Sequence, residues 1–149
     1  MSLIRTIRLL VVEDSPAYVY LIERAFRRRQ DRVRWDVKIA NDGQEAVQIL
    51  FEEEAESAPL PDMILLDWNL PKISGSEVLR RVKSHQHLCK IPILIFSSSE
   101  ADDDIHMAYG DHANGFITKP ADNSALSRIV EAIEEFWVSI ARIPKVVRW

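Results

Sequence analysis

Three acidic side chains and one lysine stand where short apolar runs end. Glu13 and Asp14 close the run 8–12, Asp67 closes Met63–Leu66, and Lys119 follows residues 116–118. Short apolar runs bounded by turn signals read as buried strands. If those strands are parallel neighbours, the four residues converge at the sheet edge where open α/β folds bind ligands. Clustered carboxylates repel one another unless a cation sits among them. Oxygen-only donors suit a hard ion such as Mg²⁺, which keeps several waters and binds one or two carboxylates together with phosphate. A lysine opposite them supplies a point charge for a phosphoryl group. The chemistry indicated is phosphoryl transfer onto or around Asp67.

The elements that must position these residues alternate along the chain. Residues 8–13 read as a first strand, and Ser15-Pro16 opens a helix with serine as N-cap and proline at the first helical position. Val33–Ala40 is a second strand, and Asn41-Asp42-Gly43-Gln44 resembles a capping box for the second helix. The acidic run 52–56 and a two-proline linker, 58–61, separate it from a third strand at 63–67. Ser74 with Glu77 forms another capping box. A fourth strand is expected over 91–96, a helix near 102–109, and a fifth strand over Gly115–Thr118. Asp122 is the expected N-cap of a long last helix with Leu126, Ile129, Val130, Ile133, Trp137 and Ile140 on one face, ended by Pro144. Strict β/α alternation implies a doubly wound α/β fold: five parallel strands, right-handed crossovers, helices on both faces.

The length of 149 residues suits one domain with one core. With 47% hydrophobic and 28% charged residues the composition is that of a soluble globular protein. A net charge of −4 argues against a dedicated nucleic-acid binder. No apolar run approaches the ~20 residues of a membrane span, and the start of the chain lacks a signal-peptide core. One cysteine, Cys89, cannot form an internal disulfide. A cytoplasmic location is expected.

Taken together, Val11-Val12-Glu13-Asp14-Ser15, Leu65-Leu66-Asp67-Trp68-Asn69-Leu70-Pro71, residues 93–98 and Gly115-Phe116-Ile117-Thr118-Lys119-Pro120 resemble the receiver (chemotaxis-type) domain of bacterial two-component response regulators. The resemblance covers about 8–140 and leaves 141–149 as a C-terminal extension of a single receiver domain. It implies the flavodoxin-like strand order 2-1-3-4-5. It further implies Asp67 as phospho-acceptor, attacking the phosphohistidine of a sensor histidine kinase. Mg²⁺ would be bound by Asp14 directly, by Glu13 through water, by Asp67, and by the Asn69 backbone carbonyl. Lys119 would pair with the phosphoryl group across a cis Lys119-Pro120 bond, Ser97 would offer its hydroxyl, and Ser97 with Phe116 would form the switch. Asn69 and Ser99 occupy positions that tune the phosphoryl lifetime in this family.

No output module is expected after the last helix, and the signal is expected to leave through protein contacts. Phe136, Trp137, Ile140 and Ile143 are an apolar surplus expected to form an interface, against the alternative that the tail folds over its own sheet. The Phe136-Trp137 ending and the Asp67-x-Asn69-Leu70-Pro71 loop are similar to stand-alone regulators paired with bacterial phytochromes. That implies a bacteriophytochrome kinase as partner and a homodimer through the fourth helix, fifth strand, last helix and tail.

Two other functions compete: an aspartate-nucleophile phosphatase, which needs a second acid where Asn69 stands, and a phosphorylation-independent dimeric scaffold, which leaves Asp14, Asp67, Ser97 and Lys119 without purpose. The expectation is a phosphoacceptor without enzymatic turnover beyond its own phosphotransfer and dephosphorylation. The basic cluster Arg27, Arg28, Arg29, Arg32 and Arg34 reads as a solvated helix end or a kinase contact rather than a nucleic-acid surface. His85, His87, His106 and His112 read as solvent-facing, and Cys89 as partly buried. The four glycines lack the spacing of a dinucleotide fingerprint or a P-loop, and no G-x-S-x-G elbow is present.

Overall fold

Hydrophobicity on both faces of every central strand dictates the architecture of the computed structural model, which describes residues 4–28, 32–52 and 59–148. The elements run β1 (Arg5–Val12), α1 (Pro16–Arg27), β2 (Val33–Ala40), α2 (Gly43–Phe51), β3 (Met63–Leu66), α3 (Gly75–Lys83), β4 (Ile93–Ser97), α4 (Asp102–Gly110), β5 (Gly115–Thr118) and α5 (Asn123–Ile133). The five strands are parallel, in the order β2-β1-β3-β4-β5. Arg29, positions 53–56 of the acidic run and the first residue of the two-proline linker lie outside the described residues.

Successive strand residues feed opposite layers. Leu10, Val12, Ile64, Leu66, Ile93 and Ile95 pack with Leu50 of α2, Leu79 of α3 and Ala108 of α4. Leu9, Val11, Met63, Leu65, Leu94 and Phe96 pack with Ile22 and Phe26 of α1 and Leu126 and Val130 of α5. β3 is therefore buried at all four positions, as a strand covered on both faces must be.

Local signals fix the helix starts. Ser15, Asp42, Ser74 and Asp122 each cap the third residue beyond them: Tyr18, Glu45, Glu77 and Ala125 donate their amides to the capping side chains. The capping box of α2 is one residue later than the sequence suggested. Glu45, not Gln44, reaches back, accepting from the Asn41 amide at 3.0 Å. At α3 the reciprocal half is missing, because Glu77 pairs with Arg80 and Arg81 instead.

The last helix departs from expectation. From Glu134 to Ile140 it widens into π turns, which carry more residues per turn and rotate later side chains off the 3.6-residue stripe. Ile140, expected on the buried face, is 66% exposed, and the helix ends there rather than at Pro144. The carboxylate of Glu134 is buried and accepts from the Trp35 indole N–H at 2.9 Å. Arg32 of the basic cluster pairs with its own chain at the surface, donating to Glu135 at 2.7 Å. His85 does not simply face solvent: its Nδ1 accepts the amides of His87 and Leu88. Cys89 is partly buried.

The end of the tail crosses to the α2 side. Val146 packs against that layer, and Arg148 donates to the carbonyls of Ile49 and Leu50 at 2.7 and 3.1 Å. Here the tail folds over its own sheet. Of the four residues expected at an interface, Phe136 and Ile140 are exposed, Ile143 is partly exposed, and Trp137 packs against the α1/α5 layer.

Candidate metal and phosphoryl site

Glu13, Asp14 and Asp67 meet beyond the carboxyl ends of β1 and β3, as the apolar runs before them require. One carboxylate oxygen from each lies within 4.8 Å of the others. Two ladder-type bonds fix the strand exits, Glu13 N–H to the Ala40 carbonyl and Asp67 N–H to that of Val12, both 3.0 Å. The side chains of Glu13 and Asp67 are buried, whereas Asp14 is exposed. Asp67 also receives the Asn69 amide at 3.4 Å, and Glu13 that of Ser15 at 3.1 Å.

Lys119, entering from the end of β5, places its ammonium 2.5 Å from Glu13 Oε1 and 3.1 Å from Asp67 Oδ2. The expected cis bond is absent: no peptide among the described residues is cis, and Lys119 reaches both carboxylates across a trans Lys119-Pro120 bond. Ser97 is fully buried at the end of β4, paired in register with Thr118, and its carbonyl accepts the Lys119 amide at 2.9 Å. Its hydroxyl accepts the Ser99 amide at 3.2 Å, and Ser99 in turn donates to Asp104 at 2.6 Å. Phe116 is partly buried, its ring centroid 6.4 Å from that of Trp68, the residue after Asp67.

The charges are unbalanced. Burial pushes the Glu13 carboxyl above its usual range, and the hydrogen bonds from Lys119 and Ser15 offset this only in part. For Lys119, burial alone would lower the pKa. The hydrogen bond to Glu13 and the charges of Asp67 and Glu13 outweigh it and raise the ammonium above its ordinary value. One cation thus serves a group of three carboxylates. An all-oxygen donor set with surplus negative charge fits a hard divalent cation that retains waters.

Several participants were not visible in the sequence. A Cβ on Gly75 would overlap the Asp67 carbonyl oxygen and crowd Trp68, so only glycine lets α3 start against the loop that carries Asp67. Gly43 has the same relation to the Ile73 carbonyl. Tyr18, at the third position of α1, lays its ring 4.7 Å from the Lys119 Nζ. Its only sequence signal was its place one helical turn beyond the Ser15 cap.

A parallel sheet of this order, with acids and a lysine beyond its carboxyl edge, defines a class of phosphate- and metal-handling α/β domains. Residues 9–131 match the response regulator receiver domain, and the chain belongs to that family. It is 39% identical to the probable methanogenesis regulatory protein FilR2 of Methanothrix harundinacea over 91% of this chain and 86% of that one. Response regulator Rcp1 of Synechocystis is 34% identical over 91% and 92%, and its Mn²⁺-bound crystal structure superposes with a TM-score of 0.81, covering 92% of this chain and 98% of that one. The phosphorylated cyanobacterial phytochrome response regulator RcpA is 42% identical with a TM-score of 0.85, covering 93% and 99%. The protein is a two-component response regulator whose acidic pocket is of the kind that takes a divalent metal ion. Among the described residues no helix is long and apolar enough to cross a membrane.

Proposed function

We propose that Asp67 accepts a phosphoryl group from a sensor histidine kinase and that the modified domain signals through protein contacts. The observation that carries this is Lys119 bridging Glu13 and Asp67 while Asp14 stands within ligand distance of both acids. One Asp67 oxygen forms the O–P bond as the P–N bond of phosphohistidine breaks; the electron pair stays on that imidazole nitrogen, and the ring leaves neutral with its proton on the other nitrogen. A carboxylate is a weak nucleophile, so alignment and charge neutralisation do most of the work. Mg²⁺, held by Glu13, Asp14, Asp67 and the Asn69 carbonyl, would neutralise charge on the phosphoryl oxygens. Lys119 supplies the matching positive charge from the protein side. Ser97 then turns its hydroxyl from the Ser99 amide toward the phosphoryl group, and Phe116 moves inward past Trp68.

Acetyl phosphate with Mg²⁺ should add one phosphoryl group per chain, stoichiometrically and without turnover, and Asp67→Asn should add none. Continuous hydrolysis of a generic phosphatase substrate would favour the enzyme reading instead, which Asn69 already disfavours by standing where that class needs an acid. Cytoplasmic action follows from the kinase partnership. The relatives Rcp1 and RcpA favour a phytochrome-type kinase, whereas FilR2 is named for methanogenesis; labelling by a purified phytochrome kinase tests the former. The exposed Phe136 and Ile140, with the partly exposed Ile143, support a homodimer through α4, β5, α5 and the tail, although Trp137 packs within its own chain. A monomeric mass in light scattering at micromolar concentration, with and without beryllofluoride, would exclude it.

A further inference from the structure

Tyr18 makes two contacts, one to Lys119 and one to Pro120, that its position on a different element does not require. The ring centroid is 4.7 Å from Nζ, within the range at which an ammonium is attracted to an aromatic face. Its hydroxyl points to the carbonyl of Pro120, the next residue, at 3.4 Å, a long and therefore weak hydrogen bond. The ring is itself supported, 5.8 Å from Phe96 on β4, and its backbone is pinned by the Ser15 cap. The tyrosine therefore grips the side chain of Lys119 and the backbone just beyond it.

The ammonium has three donors, and in this state Glu13 and Asp67 take two. Those same carboxylates belong to the donor set for a divalent ion. A divalent ion in that set would compete with Lys119 for Glu13, and the lysine would then have to stay poised beside Asp67 with its shortest contact weakened. An aromatic face can hold the cation without competing for the metal or the phosphate, because it offers no ligand oxygen and carries no charge.

We infer that Tyr18 is a positioning residue that keeps the Lys119 ammonium at the phosphoryl site when its carboxylate partners are engaged elsewhere. This rests on the reading of Asp67 as acceptor, and the ring face rather than the hydroxyl is the working part. Tyr18→Phe should therefore behave as wild type, while Tyr18→Leu, which keeps bulk against Phe96, should not.

The experiment uses the full chain. In NMR spectra of the metal-free protein, the Lys119 ε-methylene protons should lie upfield of the other lysines through the ring current. The displacement should persist in Tyr18→Phe and vanish in Tyr18→Leu. With Mg²⁺ and acetyl phosphate, Tyr18→Leu should label roughly five- to thirtyfold more slowly, the range set by a partly desolvated cation–π contact, and Tyr18→Phe should restore the rate. Lys119 ε protons at ordinary positions in the wild type overturn the inference without any variant, which also covers a leucine variant that fails to fold. Equal labelling of all three proteins overturns it as well. Absence of labelling in the wild type would instead remove the acceptor reading while leaving the ring-current result to be judged by itself.

Discussion

Replacing Lys119 with methionine should destabilise the metal-free protein and do so in proportion to pH. Methionine keeps most of the volume and removes the charge. Glu13 is 2% exposed and the Lys119 side chain 13%, so their pair is desolvated. Removing one partner of a buried pair typically costs 3–5 kcal/mol; allowing for the open side of this pocket at Asp14, about 3 kcal/mol is expected. For a chain of this size that is roughly 6–12 °C in melting temperature. The sign with pH follows from Glu13. Its folded-state pKa is raised, first by burial, and loss of the Lys119 hydrogen bond and charge raises it further. Between its ordinary value of 4.5 and that raised value the folded chain holds more protons than the unfolded one, so stability falls as pH rises. The deficit of the variant should be smaller at pH 5 than at pH 8, because proton uptake by Glu13 relieves the unpaired charge on the acid side. Melting curves followed by near-UV circular dichroism in EDTA at the two pH values provide the test, with Glu13→Gln/Lys119→Met as the arm that should recover most of the loss. A Lys119→Met protein melting within about 2 °C of wild type at pH 8, or showing the same deficit at both pH values, would refute the electrostatic account of the pocket.

Chelation of Mg²⁺ should stop acetyl phosphate labelling of the wild type, as measured by intact mass. Lys119→Ala should still be labelled but lose the conformational response, read as unchanged Trp68 fluorescence on phosphorylation. Gly75→Ala forces a methyl group against the Asp67 carbonyl and should cost about 1–3 kcal/mol in urea unfolding, with slower labelling. Glu134→Leu leaves the Trp35 indole N–H without that acceptor and should cost about 1–3 kcal/mol, whereas the double variant with Trp35→Phe should recover much of it; equal losses in single and double variants would contradict this.

The fold was legible because its signals are local and redundant. The apolar runs before Glu13 and Asp67 are buried strands as read, while the run before Lys119 is a strand only half-buried at the sheet edge, and Ser15, Ser74 and Asp122 mark helix starts by chemistry that needs no tertiary context. Strand ends moved by up to three residues: β1 begins at Arg5 rather than 8, because its first residues pair with Val33 and Arg34 of β2, a partnership that periodicity does not reveal. The π turns after Ile133 escaped notice for a related reason. A 3.6-residue stripe through Trp137 and Ile140 is a sound helix pattern, and nothing in it announces that Glu134 is drawn inward to the indole of Trp35, 99 positions away. The acids and the lysine were found because strand ends collect them. Tyr18 and Gly75 were not, since their roles depend on which atoms of other elements stand beside them.

The amide of Lys119 is bonded to the carbonyl of Ser97, and this single rung carries a mechanical implication. The hydroxyl that must swing and the ammonium that must stay are mounted on one crossbar, so the backbone of the first cannot be displaced without tugging the second. The lever therefore runs outward along the β4–β5 margin of the sheet, toward α5 and the exposed end of the last helix. β2, at the opposite margin and separated by two intervening strands, meets that lever again at the last helix, where the Trp35 indole N–H donates to Glu134.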